Sequence, residues 1–305
     1  MIIGCNEKQK VFLQNEISGV EYVDLFGYEV QYSKTLPLWL KMALQFPRIS
    51  RVVRKENEWL AEFVKTNKID VIISDNRFGL FNENIESVFI THQMYVKAPF
   101  LSGRINYINH TFIKKFDQCW IPDFAEKQRS LSGALSQGKP VNKNTSYIGP
   151  LSRFVKKERA FSKTFDVLIL LSGVESQRSL LEEKLMEIFS ETNLRIALVR
   201  GTNLIVKKIF PKNFTVIDIA TTEKLEELFS SSENIICRSG YSSLMDLYAL
   251  GLKGILIPTP GQTEQEYLAN YWKEKFRFAV LKQNEISDAS ILNLLKKKEI
   301  PAVQI

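Results

Sequence analysis

The chain has 305 residues, 45% of them hydrophobic, which is enough to fill the cores of two domains of about 150 residues each. Lysine and arginine exceed aspartate and glutamate by 41 to 34, and the net charge of +7 suits an anionic partner such as a nucleotide diphosphate or a membrane surface, although a mildly basic solvated surface explains it equally well. Because the three cysteines are widely separated and no apolar run approaches the roughly 18 residues of a membrane span, we expect a cytoplasmic protein without disulfides or spanning helices.

The first half of the chain mixes predicted strands with one long helix. Five β-rich runs predict strands, at 20–26, 69–74, 87–91, 118–121 and 145–148. A helical pattern of about 35–66 lies between the first two and is interrupted by Pro47. Within it, the segment 34–55 carries six basic residues and no acid, interleaved with Leu, Met, Phe and Trp. Such a helix either contacts an anionic membrane surface or packs on its own domain, and the second case is commoner.

The second half alternates strand and helix more regularly. Its β-rich runs lie at 166–172, 194–200, 214–220, 234–238 and 254–258. Its helical patterns lie at 176–190, 222–230, 243–250 and 264–276. Fully apolar strands separated by helices predict a parallel sheet that is covered on both faces.

The predicted class is therefore α/β, with two Rossmann-like, doubly wound domains. We place the boundary where "SYIGPLSRF" ends the last strand of the first half, which gives domains at 1–152 and 153–305. In such sheets, ligands bind at the carboxyl ends of the strands.

Three strand-to-helix turns of the second domain carry glycine and small polar residues. They are Ser172-Gly173 with Ser176 as a candidate helix cap, Gly240 with Ser242 and Ser243, and Pro260-Gly261-Gln262. Glycine lets backbone N–H groups approach a ligand, and a helix N-terminus attracts phosphate. The alternative is purely structural, because Ser243 with Asp246, and Thr263 with Glu266, have the spacing of a capping box.

The segment "IICRSGYSSLMDLYALGLKGILIPTPGQTEQEYLAN", 235–270, resembles the donor-binding half of GT-B fold glycosyltransferases, specifically family 28 and its N-acetylglucosaminyltransferase-like members of cell-envelope synthesis. The resemblance implies a nucleotide-sugar site formed by Arg153, Ser172, Gly173, Arg238, Gly240, Ser242, Ser243, Asp246, Glu264 and Gln265.

The resemblance also implies roles for these residues. Gly240, Ser242 and Ser243 hold the diphosphate, with Ser172 and Gly173 on the phosphate side and Arg153 reaching the phosphates; the alternative for Arg153 is an ordinary linker salt bridge. Asp246 stands where the family usually has glutamate for the ribose, and Glu264 and Gln265 read the sugar hydroxyls. The loop "SGVESQRS" departs from the more glycine-rich loop of the family.

The first domain departs further from the family. Its members begin with a strand and a glycine-rich loop carrying a histidine, whereas this chain opens on "MIIGCNEKQKVFLQNE", which looks like the family's second strand and helix. We therefore expect that the first domain lacks its first strand and that about 30–50 residues of a full-length protein precede Met1.

Polar residues at two strand ends of the first domain are the candidates for the acceptor side. His92 follows one strand and serves as a base or as a satisfied buried histidine, with Gln93 beside it. Asp75 and Arg77 follow another strand, where an ion pair between them is the simplest interpretation.

These features predict an inverting transfer of a hexose or N-acetylhexosamine from a nucleoside diphosphate sugar, with a UDP-sugar as the expected donor. The acceptor is a hydroxyl of a glycan or lipid-linked molecule, reached from the cytoplasm or at the inner membrane face. No cofactor is implied, and no Asp-x-Asp or His/Cys cluster calls for a metal. The alternatives are a nucleotide-sugar epimerase and a non-catalytic nucleotide-sugar-binding remnant; nucleic-acid binding lacks a recognisable module.

Overall fold

A computed structural model describes residues 1–25, 38–97, 102–156, 162–202 and 209–296. The chain divides into two compact units, Met1–Pro150 and Leu151–Ile305. The predicted roles of the two halves, acceptor side and donor side, stay predictions.

The first unit contains six strands and three α-helices within the described residues. In chain order they are β1 (Ile2–Cys5), α1 (Glu7–Glu16), β2 (Glu21–Asp24), α2 (Leu38–Thr66), β3 (Val71–Asp75), β4 (Glu86–Ile90), α3 (Ser102–Ile113), β5 (Gln118–Ile121) and β6 (Thr145–Tyr147). The strands form two separate parallel sheets, β1-β2 and β3-β4-β5-β6. Each predicted strand of this half is present, whereas the polar helix α3 was not predicted.

Helix α2 differs from its prediction at Pro47, where the sequence suggested an interruption. The helix runs from Leu38 to Thr66 with Pro47 inside it. A proline removes one backbone donor, and the regular turns on both sides carry the helix past it. The part of 34–55 that precedes residue 38 lies outside the described residues. In the described part, Val53 is buried while Arg51, Arg54 and Lys55 are exposed, so this stretch turns its apolar side inward.

The second unit alternates strands and helices. In chain order they are β7 (Phe165–Leu170), α4 (Gln177–Ser190), β8 (Ile196–Val199), β9 (Phe214–Ile217), α5 (Thr222–Ser231), β10 (Ser232–Cys237), α6 (Tyr241–Leu250), β11 (Ile255–Leu256), α7 (Thr263–Phe276), β12 (Ala279–Val280) and α8 (Asp288–Lys296). Strand β12 and helix α8 were not predicted.

The sheet of the second unit is parallel throughout, in the order β12-β11-β10-β7-β8-β9. The chain first builds outward from β7 to β9 and then returns to the other side of β7 through β10. This is the doubly wound order, and the reversal lies between β7 and β10. The predicted α/β class with parallel sheets is confirmed.

Buried aliphatic side chains hold the second unit together. Ile169, Ile236 and Ile257 from the sheet pack with Leu185 and Phe189 of α4 in one continuous core. Each strand contributes side chains to both faces of the sheet, and helices cover both faces. The loops therefore lie at the two ends of the strands. The carboxyl-terminal end is where the candidate site lies.

Candidate functional site

The three predicted turns lie at one edge of the second sheet. Strands β7, β10 and β11 lead into helices α4, α6 and α7, and β11, β10 and β7 are neighbours in the sheet order. Because parallel strands share an orientation, the three helices all begin at the carboxyl edge, beside the point where the strand order reverses.

The starts of these three helices have no side-chain cap. The N-cap residues are Ser176, Gly240 and Gln262, and within the described part of the chain none of them accepts a capping hydrogen bond from its helix. Two helices elsewhere are capped: Asn6 accepts from the N–H of Gln9 before α1, and Thr221 accepts from Lys224 before α5. At α4 the N–H of Arg178 is bonded to Val174 O at 3.1 Å instead. Three positive dipole ends without a side-chain cap therefore lie on one edge of the sheet, an arrangement that suits an anion.

The turn into α6 is open to a ligand. A Cβ added to Gly240 would meet nothing within 4 Å, and its φ of −69° is ordinary backbone. Ser242 is exposed and Ser243 half-buried in the first helical turn, and among the described residues neither N–H has a hydrogen-bond partner. The capping box between Ser243 and Asp246 does not form, because the helix begins two residues before Ser243.

The turn into α4 has an unusual backbone. Gly173 has a φ of +103° and Ser176 a φ of +46°, a region that side-chain-bearing residues rarely adopt. The predicted cap at Ser176 is correct in position, but its side chain makes no capping bond, because this backbone turns it away from an ordinary N-cap conformation. Ser172 and Gly173 are exposed at this turn.

Arg238 lies beneath the three turns rather than at the surface. Its side chain is 1% exposed and donates to the carbonyl oxygens of Ile257 at 3.2 Å, Pro258 at 3.3 Å and Gln177 at 2.9 Å. Burial lowers the pKa of Arg238 to about 10, so the guanidinium stays protonated at neutral pH. A buried positive charge therefore lies behind the edge at which the three helices begin, and its described hydrogen-bond partners are carbonyl oxygens.

Asp246 projects from the second turn of α6 and accepts a hydrogen bond from Ser152 Oγ at 2.7 Å. Burial raises the pKa of this carboxyl, while Ser152 and the charge of Arg153 lower it. Arg153 itself donates to Thr222 Oγ1 at 3.1 Å. The residues predicted for ribose and phosphate are thus close enough to interact electrostatically.

Two hydrogen bonds hold Gln265 at the start of α7. Gln265 accepts from the N–H of Thr259 at 2.9 Å through its side-chain oxygen, and its backbone carbonyl accepts from Ser239 Oγ at 2.8 Å. The carboxamide nitrogen of Gln265 has no hydrogen-bond partner within the described residues, so it retains two donors. Glu264 is half-buried beside it.

Sequence reasoning missed Thr259. Its side chain is 2% exposed, Oγ1 has no partner among the described residues, and a Cβ on Gly173 would come within 3.8 Å of that oxygen. The hydroxyl therefore faces the turn after β7. The segment "TPGQT" offered the glycine signal, but nothing local marks the threonine.

The polar residues of the first unit also lie at a carboxyl sheet edge. Asp75 ends β3, and His92 and Gln93 follow β4, its neighbour. Burial raises the pKa of Asp75, and the charge of His92 opposes that rise. The predicted interpretation of Arg77 changes: its guanidinium donates to Glu56, with Nε at 2.8 Å from Oε1. Arg77 therefore pairs with the buried Glu56 of α2 rather than with its sequence neighbour Asp75, and the predicted ion pair between Asp75 and Arg77 is wrong.

None of the described helices combines the length and the apolar character needed to cross a bilayer. Within the described ranges, no three His, Cys, Asp or Glu side chains converge as metal ligands.

Comparisons with known proteins agree with the resemblance noted in the sequence. Residues 164–301 match the glycosyltransferase family 28 C-terminal domain. The UDP-N-acetylglucosamine–N-acetylmuramyl-(pentapeptide) pyrophosphoryl-undecaprenol N-acetylglucosamine transferase of Haemophilus ducreyi is 23% identical over 169 residues, which are 53% of this chain and 47% of that protein. The transferase of the same name from Desulforudis audaxviator is 32% identical over 97 residues, 31% of this chain and 25% of that protein. The chain spans about half the length, or less, of these curated relatives.

Solved structures extend the similarity to nearly the whole chain. A calicheamicin glycosyltransferase has a TM-score of 0.61 at 12% identity, covering 98% of this chain and 83% of that chain. The glycosyltransferase of kitacinnamycin has a TM-score of 0.62 at 14% identity, covering 97% and 83%. The resemblance to glycosyltransferase family 28 and the GT-B fold it implies are confirmed.

Proposed function

We propose that this protein is a glycosyltransferase that moves a hexose or N-acetylhexosamine from a nucleoside diphosphate sugar, expected to be UDP-linked, to an acceptor hydroxyl. The observation that carries the proposal is the set of three uncapped helix starts after the adjacent strands β7, β10 and β11. One uncapped helix start is common, whereas three on one sheet edge form a site with a matching ligand chemistry, a diphosphate.

In this proposal the diphosphate rests on the first turn of α6. The N–H groups of Ser242 and Ser243 donate to it, and the open space at Gly240 lets the phosphate oxygens approach the backbone. Ser172 and Gly173 close the phosphate side. Arg153, Arg238 and the helix dipoles stabilise the diphosphate as its charge grows during transfer.

The remaining donor-side residues recognise the sugars. Asp246 accepts from the ribose hydroxyls, a role that its bond with Ser152 leaves open because a carboxylate has several acceptor positions. Glu264 accepts from a hydroxyl of the transferred sugar, and the carboxamide nitrogen of Gln265 donates to one. Support for Gln265 comes from its fixed position, since two hydrogen bonds hold it at the start of α7.

For the chemical step, His92 is the proposed base and Asp75 its charged neighbour. His92 takes the proton of the acceptor hydroxyl while the acceptor oxygen attacks the anomeric carbon. The bond from that carbon to the diphosphate breaks on the opposite face, which inverts the anomeric centre and releases the nucleoside diphosphate. Gln93 and Arg77 belong to the acceptor side. Helix dipoles and arginines offset the leaving-group charge, so we propose a metal-independent reaction.

The curated relatives are named for an undecaprenol-linked acceptor. We extend this to a glycan or lipid-linked acceptor here, used in the cytoplasm or at the inner face of the membrane in cell-envelope synthesis. The exposed Arg51, Arg54 and Lys55 support contact between this part of α2 and anionic lipid headgroups.

Isothermal titration calorimetry of the full chain with UDP, GDP and dTDP tests the donor site. The proposal expects saturable, exothermic 1:1 binding, strongest for UDP. Preference for GDP or dTDP would mean that the donor carries a different base, and the proposed position of the donor site would stand. No binding of any of the three at millimolar concentration would refute the proposed function.

A further inference from the structure

The segment 151–154, with which the second unit begins, lies against helix α6. The N–H of Leu151 donates to Met245 Sδ at 3.3 Å, and Ser152 Oγ donates to Asp246 Oδ1 at 2.7 Å. Two consecutive residues of the segment therefore bond to two consecutive residues of the helix. Both bonds join positions that are 94 apart in the sequence, so no local pattern encodes this contact.

Two hydrogen bonds fix the hydroxyl of Ser152. The N–H of Phe154 donates to Ser152 Oγ at 3.1 Å and uses one of its acceptor positions. An ionised carboxylate only accepts hydrogen bonds, so the single proton of the serine hydroxyl is directed to Asp246. Phe154 is buried and packs edge-to-face on Phe229 of α5, with 5.5 Å between the ring centroids. A residue anchored in the core therefore sets the direction of the hydroxyl.

Asp246 keeps acceptor positions after it has accepted from Ser152. A carboxylate offers about four lone-pair positions on its two oxygens. Ser152 occupies one of those on Oδ1, and within the described residues Oδ2 has no hydrogen-bond partner. Asp246 is half-buried in the second turn of α6, the helix whose start is the candidate diphosphate position. A carboxylate that is held in place and has open acceptor positions suits a ligand that donates from two hydroxyls.

Electrostatics act in the same direction as the geometry. Burial raises the pKa of the Asp246 carboxyl, and both the hydrogen bond from Ser152 and the positive charge of Arg153 oppose that rise. Ser152 therefore favours the ionised form, in which both oxygens accept hydrogen bonds. Without the serine hydroxyl, the carboxyl loses the contact that orients it and one of the two influences that favour its charge.

We propose that Ser152 is a positioning residue for ribose recognition, because its hydroxyl holds the Asp246 carboxylate where both oxygens accept from the 2′- and 3′-hydroxyls of the nucleotide. Two adjacent hydroxyls match the two oxygens of a carboxylate, and a 2′-deoxyribose lacks one of them. Ser152 therefore contributes to a preference for ribonucleotides over deoxyribonucleotides. This role rests on the proposed donor site, in which Asp246 binds the ribose.

The opposite interpretation is that Ser152 occupies the position that the ribose needs. The serine and the ligand then compete for Asp246, and removal of the serine hydroxyl makes the nucleotide bind more tightly. The contacts favour positioning, because Phe154 keeps the hydroxyl in place and the carboxylate has acceptor positions for both partners. The two interpretations predict changes of opposite sign in the affinity for a ribonucleotide.

The test is a calorimetric titration of the full chain with UDP and with 2′-deoxy-UDP. The wild type should bind UDP about tenfold more tightly than 2′-deoxy-UDP, since the deoxynucleotide loses one hydrogen bond to a charged group. Ser152→Ala should weaken UDP binding about fivefold and 2′-deoxy-UDP binding less than about twofold. Ser152→Thr retains the hydroxyl and should keep the wild-type ratio. Ser230→Ala is the matched control, because it removes a half-buried hydroxyl that donates to Glu226 O at 2.8 Å within α5.

A double-mutant cycle separates positioning from a purely structural role. If Ser152 acts through Asp246, Ser152→Ala should change UDP affinity by less than about twofold in an Asp246→Asn background. Tighter UDP binding by Ser152→Ala, an unchanged nucleotide ratio in that variant, or additive effects in the cycle would overturn the role of Ser152 and leave the donor site standing. No UDP binding by the wild type would refute the donor site and this role with it. Equal affinity of the wild type for the two nucleotides would overturn the role even if Ser152→Ala does not fold.

Discussion

The guanidinium of Arg238 donates a hydrogen bond to the carbonyl oxygen of Gln177, 2.9 Å away, and so joins the end of β10 to the first residue of α4. The same side chain reaches the carbonyls of Ile257 and Pro258, which lead into the turn before α7. One buried residue thus connects all three turns of the candidate donor site. Its position explains how three loops from different parts of the chain keep a common geometry.

Replacing this arginine should loosen the whole edge. Arg238→Met leaves three buried carbonyls without their donor, and we expect the free energy of unfolding to fall by about 2–4 kcal/mol. Arg238→Lys keeps the charge but cannot span the same partners, so it should lie between the methionine variant and the wild type. Urea denaturation measures both. Equal stability of the methionine variant and the wild type would show that the bonds to Gln177, Ile257 and Pro258 are not structural.

Asp246 should make stability depend on pH. Burial raises the pKa of its carboxyl above the ordinary value near 3.8, with Ser152 and Arg153 opposing the rise. The protonated form is therefore favoured by folding, so this contribution is complete below about pH 4 and is lost as pH rises through the folded pKa. Asp246→Asn should gain stability relative to the wild type as pH increases from 4 to 7, measured by urea denaturation at each pH.

Asp166 provides a control of opposite sign. A hydrogen bond from Arg195 is the largest cause that lowers the pKa of Asp166, so its contribution is present above the ordinary carboxyl pKa and is lost as pH falls. Asp166→Asn should therefore lose stability relative to the wild type at pH 7 and less at pH 3. If both variants show the same trend with pH, the assignment of burial as the main influence on Asp246 is wrong.

Glu56 should be essential to the first unit. Its side chain is fully buried, pairs with Arg77, and accepts from the N–H of Gly79 at 3.2 Å. Glu56→Gln removes the partner charge of Arg77, and a loss of about 3 kcal/mol is expected in chemical denaturation. The neighbouring Glu58, exposed and 3.7 Å from Arg54, is the matched control, where Glu58→Gln should change stability by about 0.5 kcal/mol or less. A small effect at Glu56 would mean that the buried pair is dispensable.

His92 should affect turnover without affecting donor binding. Loss of a general base typically lowers the rate about 10²–10⁴-fold, so His92→Gln should reduce release of nucleoside diphosphate from the sugar donor by this factor. The dissociation constant for UDP should stay the same. His110, whose Nε2 lies 2.9 Å from Met94 O, is the control: His110→Gln should lower stability and leave turnover per folded molecule unchanged. Equal turnover of His92→Gln and the wild type would remove His92 from the mechanism.

Much of the second unit was predictable because its signals are local. Apolar runs and helical patterns placed the strands and helices of this unit up to α7, and glycine marked the turns after β7, β10 and β11. Parallel strands then required these turns to share an edge. Strand β12 was missed because two residues give little periodic signal, and helix α8 because its nine residues span only about two and a half turns.

The contacts within the site were not predictable because they are long-range. The bonds of Arg238 join residues 19, 20 and 61 positions apart in the sequence, and no local spacing encodes them. Thr259 was missed for the same reason, since its position depends on the turn at Gly173. Local spacing was misleading at Ser243 and Asp246, where a capping box was an open alternative and the helix begins earlier. In the first unit, Arg77 pairs across 21 residues with Glu56.

Gly240→Ala tests the central claim most directly. Nothing lies within 4 Å of the added methyl group and the backbone φ of −69° suits alanine, so the variant should fold with the stability of the wild type. The methyl group would fill the space through which a diphosphate approaches the N–H groups of Ser242 and Ser243. Calorimetry with UDP should therefore show binding to the wild type and a loss of about tenfold or more in the alanine variant at unchanged urea midpoint. Equal UDP affinity of the two proteins would contradict a donor site at the start of α6.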